Sequence, residues 1–233
     1  LVTKTYYSET QKKNLLWEGC FYGAPTTLFV CNYTLQNRST EAILRGLIDQ
    51  INNPKVIKQY FESSLGLKPD NIVLRHVLEH VSDPYSFLVS IANANANKGY
   101  VYIEVPCFDW IVEHKAWFDI FYEHVNYFRL ADFNRLFANV IDSGHVFGGQ
   151  YLYIVADLAS LRKPVIGNES KFIFPTDFLA GINLVKQRTK TQKHKVIWGG
   201  ASKGVIFALY LQKSGTNIDY VIDINPAKQG KYL

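Results

Sequence analysis

Methionine is absent from all 233 residues, and cysteine occurs three times, at Cys20, Cys31 and Cys107. An odd number of cysteines with no C-x-x-C spacing excludes a fully paired disulfide framework and a zinc ribbon, and suits a reducing compartment. No apolar run reaches the roughly 18–20 residues that a membrane span needs, and no signal-peptide pattern is present. A cytoplasmic protein without a membrane span is therefore expected. Charge of one sign is also scarce: the net charge is +5, and the basic residues are scattered. That balance suits an anionic small molecule such as a nucleotide, and no nucleic-acid partner is expected. Lacking Met and starting at Leu1, the chain reads as a fragment from which methionines or loop residues are missing. Nothing in the sequence sets an oligomeric state.

What is present is ordinary for a globular protein: 48% hydrophobic residues and 19% charged ones, in a chain long enough for one large core or two small ones. Residues 26–33 read as a strand. Ser39-Thr-Glu with Ile43, Leu47 and Ile51 reads as a capped amphipathic helix, and residues 56–65 as another. Strand 72–74 leads to a helix opened by Ser82-Asp-Pro and ended by the Asn-rich stretch before Gly99. Residues 100–105 form a nearly continuous apolar run, as in a strand covered on both faces. A helix over 130–138 and a strand over 150–156 follow. Beyond Asp157 the pattern pauses. A helix over 178–195 then precedes the strand, glycine turn, helix and strand that fill residues 195–224. Alternating β and α elements predict an α/β fold with a mostly parallel sheet over residues 1–157 and a second, smaller Rossmann-like domain over 158–233, both incomplete.

Two Glu-His pairs carry the chemistry. The first lies in His76-Val-Leu-Glu-His80, which also spells H-x-x-E-H, so two imidazoles on one helix are a conceivable zinc site for a metallohydrolase. The motif, however, continues a strand and is closely followed by Pro84, which argues against a long helix through both histidines. The C-terminal end of a strand, where α/β folds bind ligands, is the better reading. The second pair is Glu123-His124, within Phe121-Tyr-Glu-His-Val-Asn-Tyr-Phe128. Glu113 and His114 are expected to be surface groups. Lys186, Arg188, Lys190, Lys193 and Lys195 read as a solvated helix face. Gly199-Gly-Ala-Ser-Lys-Gly204 with Asp223 is only a loose match to a dinucleotide fingerprint, since its glycines do not follow G-x-G-x-x-G.

Ile72-Val-Leu-Arg-His-Val-Leu-Glu-His80 with Asp83-Pro84 resembles the segment after the fourth strand of class I S-adenosylmethionine-dependent methyltransferases. Glu104-Val-Pro, Tyr122-Glu-His, Gly148-Gly-Gln-Tyr-Leu, the glycine turn at Gly199 and Tyr220-Val-Ile-Asp-Ile-Asn-Pro narrow the resemblance. Together they are similar to the nucleotide-sugar C-methyltransferases that carry a C-terminal Rossmann-like domain. The resemblance implies S-adenosylmethionine as cofactor and a nucleotide-linked keto sugar as the partner substrate. It implies His124 as the base that removes a proton beside the ketone, with Glu123 and Tyr122 in support. Arg75, His76, Glu79 and His80 would border the methyl donor, while Tyr127 and Lys203 would meet the acceptor. Three departures stand out. The residues after the first expected strand, Thr34-Leu-Gln-Asn, hold no glycine-rich turn. The N-terminal cysteine module of many members is missing, and Phe121 occupies a position that is often Tyr. The first departure keeps open a non-catalytic nucleotide-sugar binding module.

Overall fold

The computed structural model describes residues 15–21, 24–31, 71–164 and 172–231. The two helices expected between residues 39 and 65, and the residues after the first expected strand, lie outside these. The chain divides into two compact units, Leu1–Phe108 with Val125–Glu169, and Asp109–His124 with Ser170–Leu233.

The first unit is built on a six-stranded sheet. Its strands are β1 (Leu15–Phe21), β2 (Ala24–Cys31), β3 (Asn71–Arg75), β4 (Tyr100–Pro106), β5 (Val140–Val146) and β6 (Tyr151–Asp157), in the order β1-β2-β3-β4-β6-β5. Among the described residues the sheet is mixed, which corrects the expectation of a mostly parallel one: there only β3 and β4 are parallel neighbours. Connection length accounts for three of the pairings, β3 with β4, β1 with β2, and β5 with β6. A parallel pair needs a crossover of about a dozen residues or more, which the segment between β3 and β4 supplies. The links between β1 and β2 and between β5 and β6 are too short for anything but an antiparallel return.

Helix α1 (Pro84–Ala94) makes that crossover. Asp83 caps it by accepting the Ser86 backbone N–H at 3.0 Å, and Pro84 pre-sets the first turn. Leu88, Ile91 and Ala92, spaced as one helical face, are buried. The helix ends where Ala96 and Asn97 take left-handed conformations, and Gly99, also at positive φ, feeds β4. Alternate residues of the sheet then separate into two faces. Ile72, Leu74, Val101, Ile103, Val105, Leu152, Ile154 and Ala156 share one face and are at most 3% exposed. Each such Leu, Ile or Val contributes about 1.5–3 kcal/mol by leaving water. The opposite face carries Arg75, Tyr102, Glu104, Tyr151 and Tyr153. Helix α3 (Leu130–Leu136) adds the buried Phe133 and Leu136. Past Asp157, where the sequence suggests a boundary, Leu161 still bridges Phe137, and the Arg162 N–H donates to the Leu136 carbonyl at 2.8 Å.

In the second unit, α4 (Ala180–Thr189) precedes β7 (Val196–Trp198), α5 (Ser202–Lys213) and β8 (Tyr220–Ile222). β7 and β8 are parallel across α5, a strand–helix–strand unit. Its tight turn requires glycine: a Cβ on Gly204 would stand 1.8 Å from the Gly199 carbonyl oxygen. The remaining part of this unit is an excursion out of the first, begun by α2 (Phe108–Glu113), that continues through a single 3-10 turn at Trp117–Asp119 to His124.

Candidate functional site

Strands β3 and β4 end side by side, with Arg75 opposite Glu104. The Arg75 guanidinium donates to Glu104 Oε1 through Nη2 at 2.9 Å and Nε at 3.1 Å, and the Tyr102 hydroxyl donates to Oε2 at 2.7 Å. His76 terminates β3 by turning to φ +52°, a conformation that costs a non-glycine residue about 1–3 kcal/mol. Its N–H is held by the Glu104 carbonyl at 2.9 Å. Its ring lies between two carboxylates, Nδ1 3.1 Å from Glu79 Oε1 and Nε2 3.5 Å from Glu104 Oε1, with Tyr151 edge-on at 4.8 Å. Glu79 and Glu104 are buried, at 1% and 3% exposure.

These contacts set the charges. Burial on its own would lower the His76 imidazole, but hydrogen bonds to Glu104 and Glu79, and the charge of each, outweigh it and hold the group at about 9. Burial also opposes ionisation of Glu104, yet hydrogen bonds from His76, Arg75 and Tyr102, with the Arg75 charge, bring the carboxyl down to about 2. The Tyr102 phenol is pushed well up, by burial first and then by the Glu104 charge and hydrogen bond. Both ring nitrogens of His76 thus face carboxylates, an arrangement that favours the protonated ring over a metal ligand. The helix that an H-x-x-E-H zinc site needs is also missing: Leu78–His80 is one 3-10 turn. That turn is strapped from outside, as the N–H groups of Val125 and Asn126 donate to the Glu79 carbonyl at 2.8 and 3.2 Å. The Asn126 amide reaches the carbonyls of Leu78, at 3.4 Å, and Val81, at 2.5 Å. His80 is buried in the same turn.

Tyr122, Glu123 and His124 belong to the second unit. They form a turn in which the His124 N–H donates to the Phe121 carbonyl at 3.1 Å, and the two rings lie 4.0 Å apart. Tyr122 is 80% exposed, and the charge and hydrogen bonding of Glu123 raise its phenol above the ordinary range. Glu123 and His124 are half-buried. Tyr127, back in the first unit, packs its ring 5.7 Å from that of Phe108. Lys203 starts α5 with its Nζ 2.5 Å from Oδ1 of the buried Asp119. Asp223 is held low by the backbone N–H groups of Asn225 and Gly200 and by Lys228; its Oδ2 accepts the Gly200 N–H at 2.9 Å, so it closes the glycine turn. His114 is exposed and stacks on Trp110 at 4.4 Å.

Sequence reasoning placed Arg75, His76 and Glu79 at the site but assigned no role to Glu104, the carboxylate that joins Arg75 and His76 to Tyr102. The signal was an acid in the middle of the apolar run at residues 100–105, a position that a buried charge holds only when it is paired. Asp119, between Phe118 and Ile120, offered a weaker signal of the same kind.

The buried Glu79 Oε2 has no donor among the described residues. A carboxylate oxygen left open at the carboxyl end of parallel strands suits a ligand that brings N–H or O–H groups, as the amino acid and ribose parts of S-adenosylmethionine do. No helix among the described residues is long and apolar enough to cross a membrane. No curated protein matches the chain. The family model for the methyltransferase domain matches residues 19–140, more than half of its length. The chain belongs to that family, the class I methyltransferases, and is an enzyme that takes its methyl group from S-adenosylmethionine.

Proposed function

We propose that this methyltransferase acts on carbon, at a position beside the ketone of a nucleotide-linked sugar. The observation that carries the reading is the Tyr122–His124 turn, where a phenol, a carboxylate and an imidazole occupy three consecutive residues, in an enzyme whose donor needs no acid–base help of its own. When bound, the donor supplies an electrophilic methyl on a sulfonium. Carbon becomes a nucleophile only after losing a proton, so a base is required, whereas a hydroxyl acceptor makes a much smaller demand. His124 takes that proton on its imidazole. Glu123 stabilises the imidazolium that forms, and Tyr122 or Tyr127 donates a hydrogen bond to the developing enolate oxygen. On the donor side, Glu79 and His80, with Arg75 and His76 behind them, form the strand-end wall. The strand–helix–strand unit is read as a small Rossmann-like domain of the acceptor side.

Solvent-deuterium exchange tests the base without requiring methyl transfer. A nucleotide-linked 4-keto sugar is incubated in deuterated water with the protein and S-adenosylhomocysteine, and deuterium at the carbons beside the ketone is followed by NMR. Exchange is expected with the native chain and is expected to vanish in His124→Asn. Undiminished exchange in that variant removes His124 as the base, and a product methylated on oxygen rejects the carbon acceptor.

A further inference from the structure

The segment that leads to His124 belongs to the second unit, whose helix α5 bears a stripe matched to its Trp117–Asp119 turn. Lys203, Phe207 and Tyr210 are spaced i, i+4 and i+7, one face of α5. Trp117 stacks on Phe207 at 4.9 Å and tilts against Tyr210 at 5.6 Å, while Phe118 lies 6.0 Å from Phe207. Lys203 meets Asp119 at 2.5 Å. Two further contacts fix the same segment. A Cβ on Gly181 of α4 would come within 3.0 Å of Trp117 Nε1, and Lys115 pairs with Asp177. The buried 3-10 turn at Trp117–Asp119 is thus clamped along α4 and α5, and His124 follows only five residues after Asp119.

We infer that Lys203 and Asp119 are positioning residues for the base, and that the strand–helix–strand unit is the platform that holds the Tyr122–His124 turn. Electrostatics makes the pairing purposeful. An ammonium in the first turn of a helix is disfavoured by the macrodipole, and a buried carboxylate needs a counter-charge; each remedies the other. A phosphate-holding role for Lys203 fits less well, because the glycine turn beside it already has an anion on its Gly200 N–H, the Asp223 carboxylate. This inference rests on the assignment of His124 as base, so its test separates the two.

Lys203→Met, Lys203→Arg, Asp119→Asn and the Lys203→Met/Asp119→Asn double variant are compared in the full chain. Amide hydrogen exchange over residues 117–124 reads the clamp, S-adenosylhomocysteine calorimetry reads the donor site, and kcat and KM for the keto sugar read the acceptor. In Lys203→Met, exchange over 117–124 is expected to quicken while donor affinity is unchanged. A misplaced base lowers kcat by roughly 10–100-fold and leaves KM within about threefold. Lys203→Arg is expected to recover most of the loss, and the double variant to be no worse than the poorer single one. Unchanged exchange and kcat in Lys203→Met overturn the inference, as does a raised KM at constant kcat, which marks a phosphate contact. If Lys203→Met loosens the segment while His124→Asn still exchanges deuterium into the sugar, the clamp stands and the assignment of the base falls.

Discussion

Replacing Glu104 by Gln tests the strand-end cluster most sharply, because it keeps the shape and removes one charge. The Glu104 carboxyl is held at about 2 against an ordinary 4.5. At about 1.4 kcal/mol per pH unit, that difference amounts to ~3 kcal/mol of stability at neutral pH. Burial at 3% exposure means that little of it is lost to solvent screening. The sign follows from a depressed folded-state value. The contribution is full above about pH 4.5 and is lost as the pH falls toward 2. His76, raised from 6.5 to about 9, behaves in the opposite sense: its contribution is full below 6.5 and is lost as the pH rises through 9. The two reflect one shared contact and count once. In urea unfolding at pH 7, Glu104→Gln is therefore expected to lose ~3 kcal/mol at an unchanged denaturant slope, and the loss should shrink at pH 3. By NMR, the His76 imidazole should titrate at lower pH in the variant. A loss under about 1 kcal/mol at pH 7, or a penalty equal at pH 7 and pH 3, refutes the electrostatic account.

Three further outcomes are expected. The melting temperature of the native chain should decline between pH 7 and pH 10, and His76→Gln should flatten that decline; equal slopes would show that His76 does not carry it. Tyr102→Phe removes a hydrogen bond to a buried carboxylate and should cost about 2 kcal/mol in chemical denaturation, with little effect on S-adenosylhomocysteine binding measured by calorimetry. Gly204→Ala forces a Cβ to within 1.8 Å of the Gly199 carbonyl oxygen, so the start of α5 must shift. A destabilisation of about 3 kcal/mol or more is expected from thermal melts, and a native-like melt would contradict the packing of this turn.

The parts of the fold that were legible in the sequence are those where local chemistry and burial agree. Asp83-Pro84 announced α1, and the apolar run from Tyr100 announced β4, because each element carries its own cap or its own buried faces. Strand β5 was not legible. Val-Ile-Asp-Ser-Gly-His-Val has no apolar face, and it holds its place as an edge strand through backbone pairing to β6. The hairpin of β1 and β2 was hidden for a related reason, since antiparallel pairing is a property of two segments together. At the site, the Glu-His pairs could be seen because they are adjacent in sequence. Glu104 and Asp119 could not be assigned, because their partners, Arg75 and Lys203, lie on other elements and are joined to them only by the fold.

The excursion at Asp109–His124 also bears on how the chain is made and how it can be cut. On the ribosome this segment emerges well before α5, so Trp117 and Phe118 must wait for Phe207 before they are sheltered, and a chaperone has something to cover in the interval. A C-terminal piece begun at residue 158 would lack the rings that pack on α5, and an N-terminal piece ended at 157 would expose them. Separate expression is expected to succeed only if residues 109–124 are grafted onto the later segment, which makes them part of any minimal fragment.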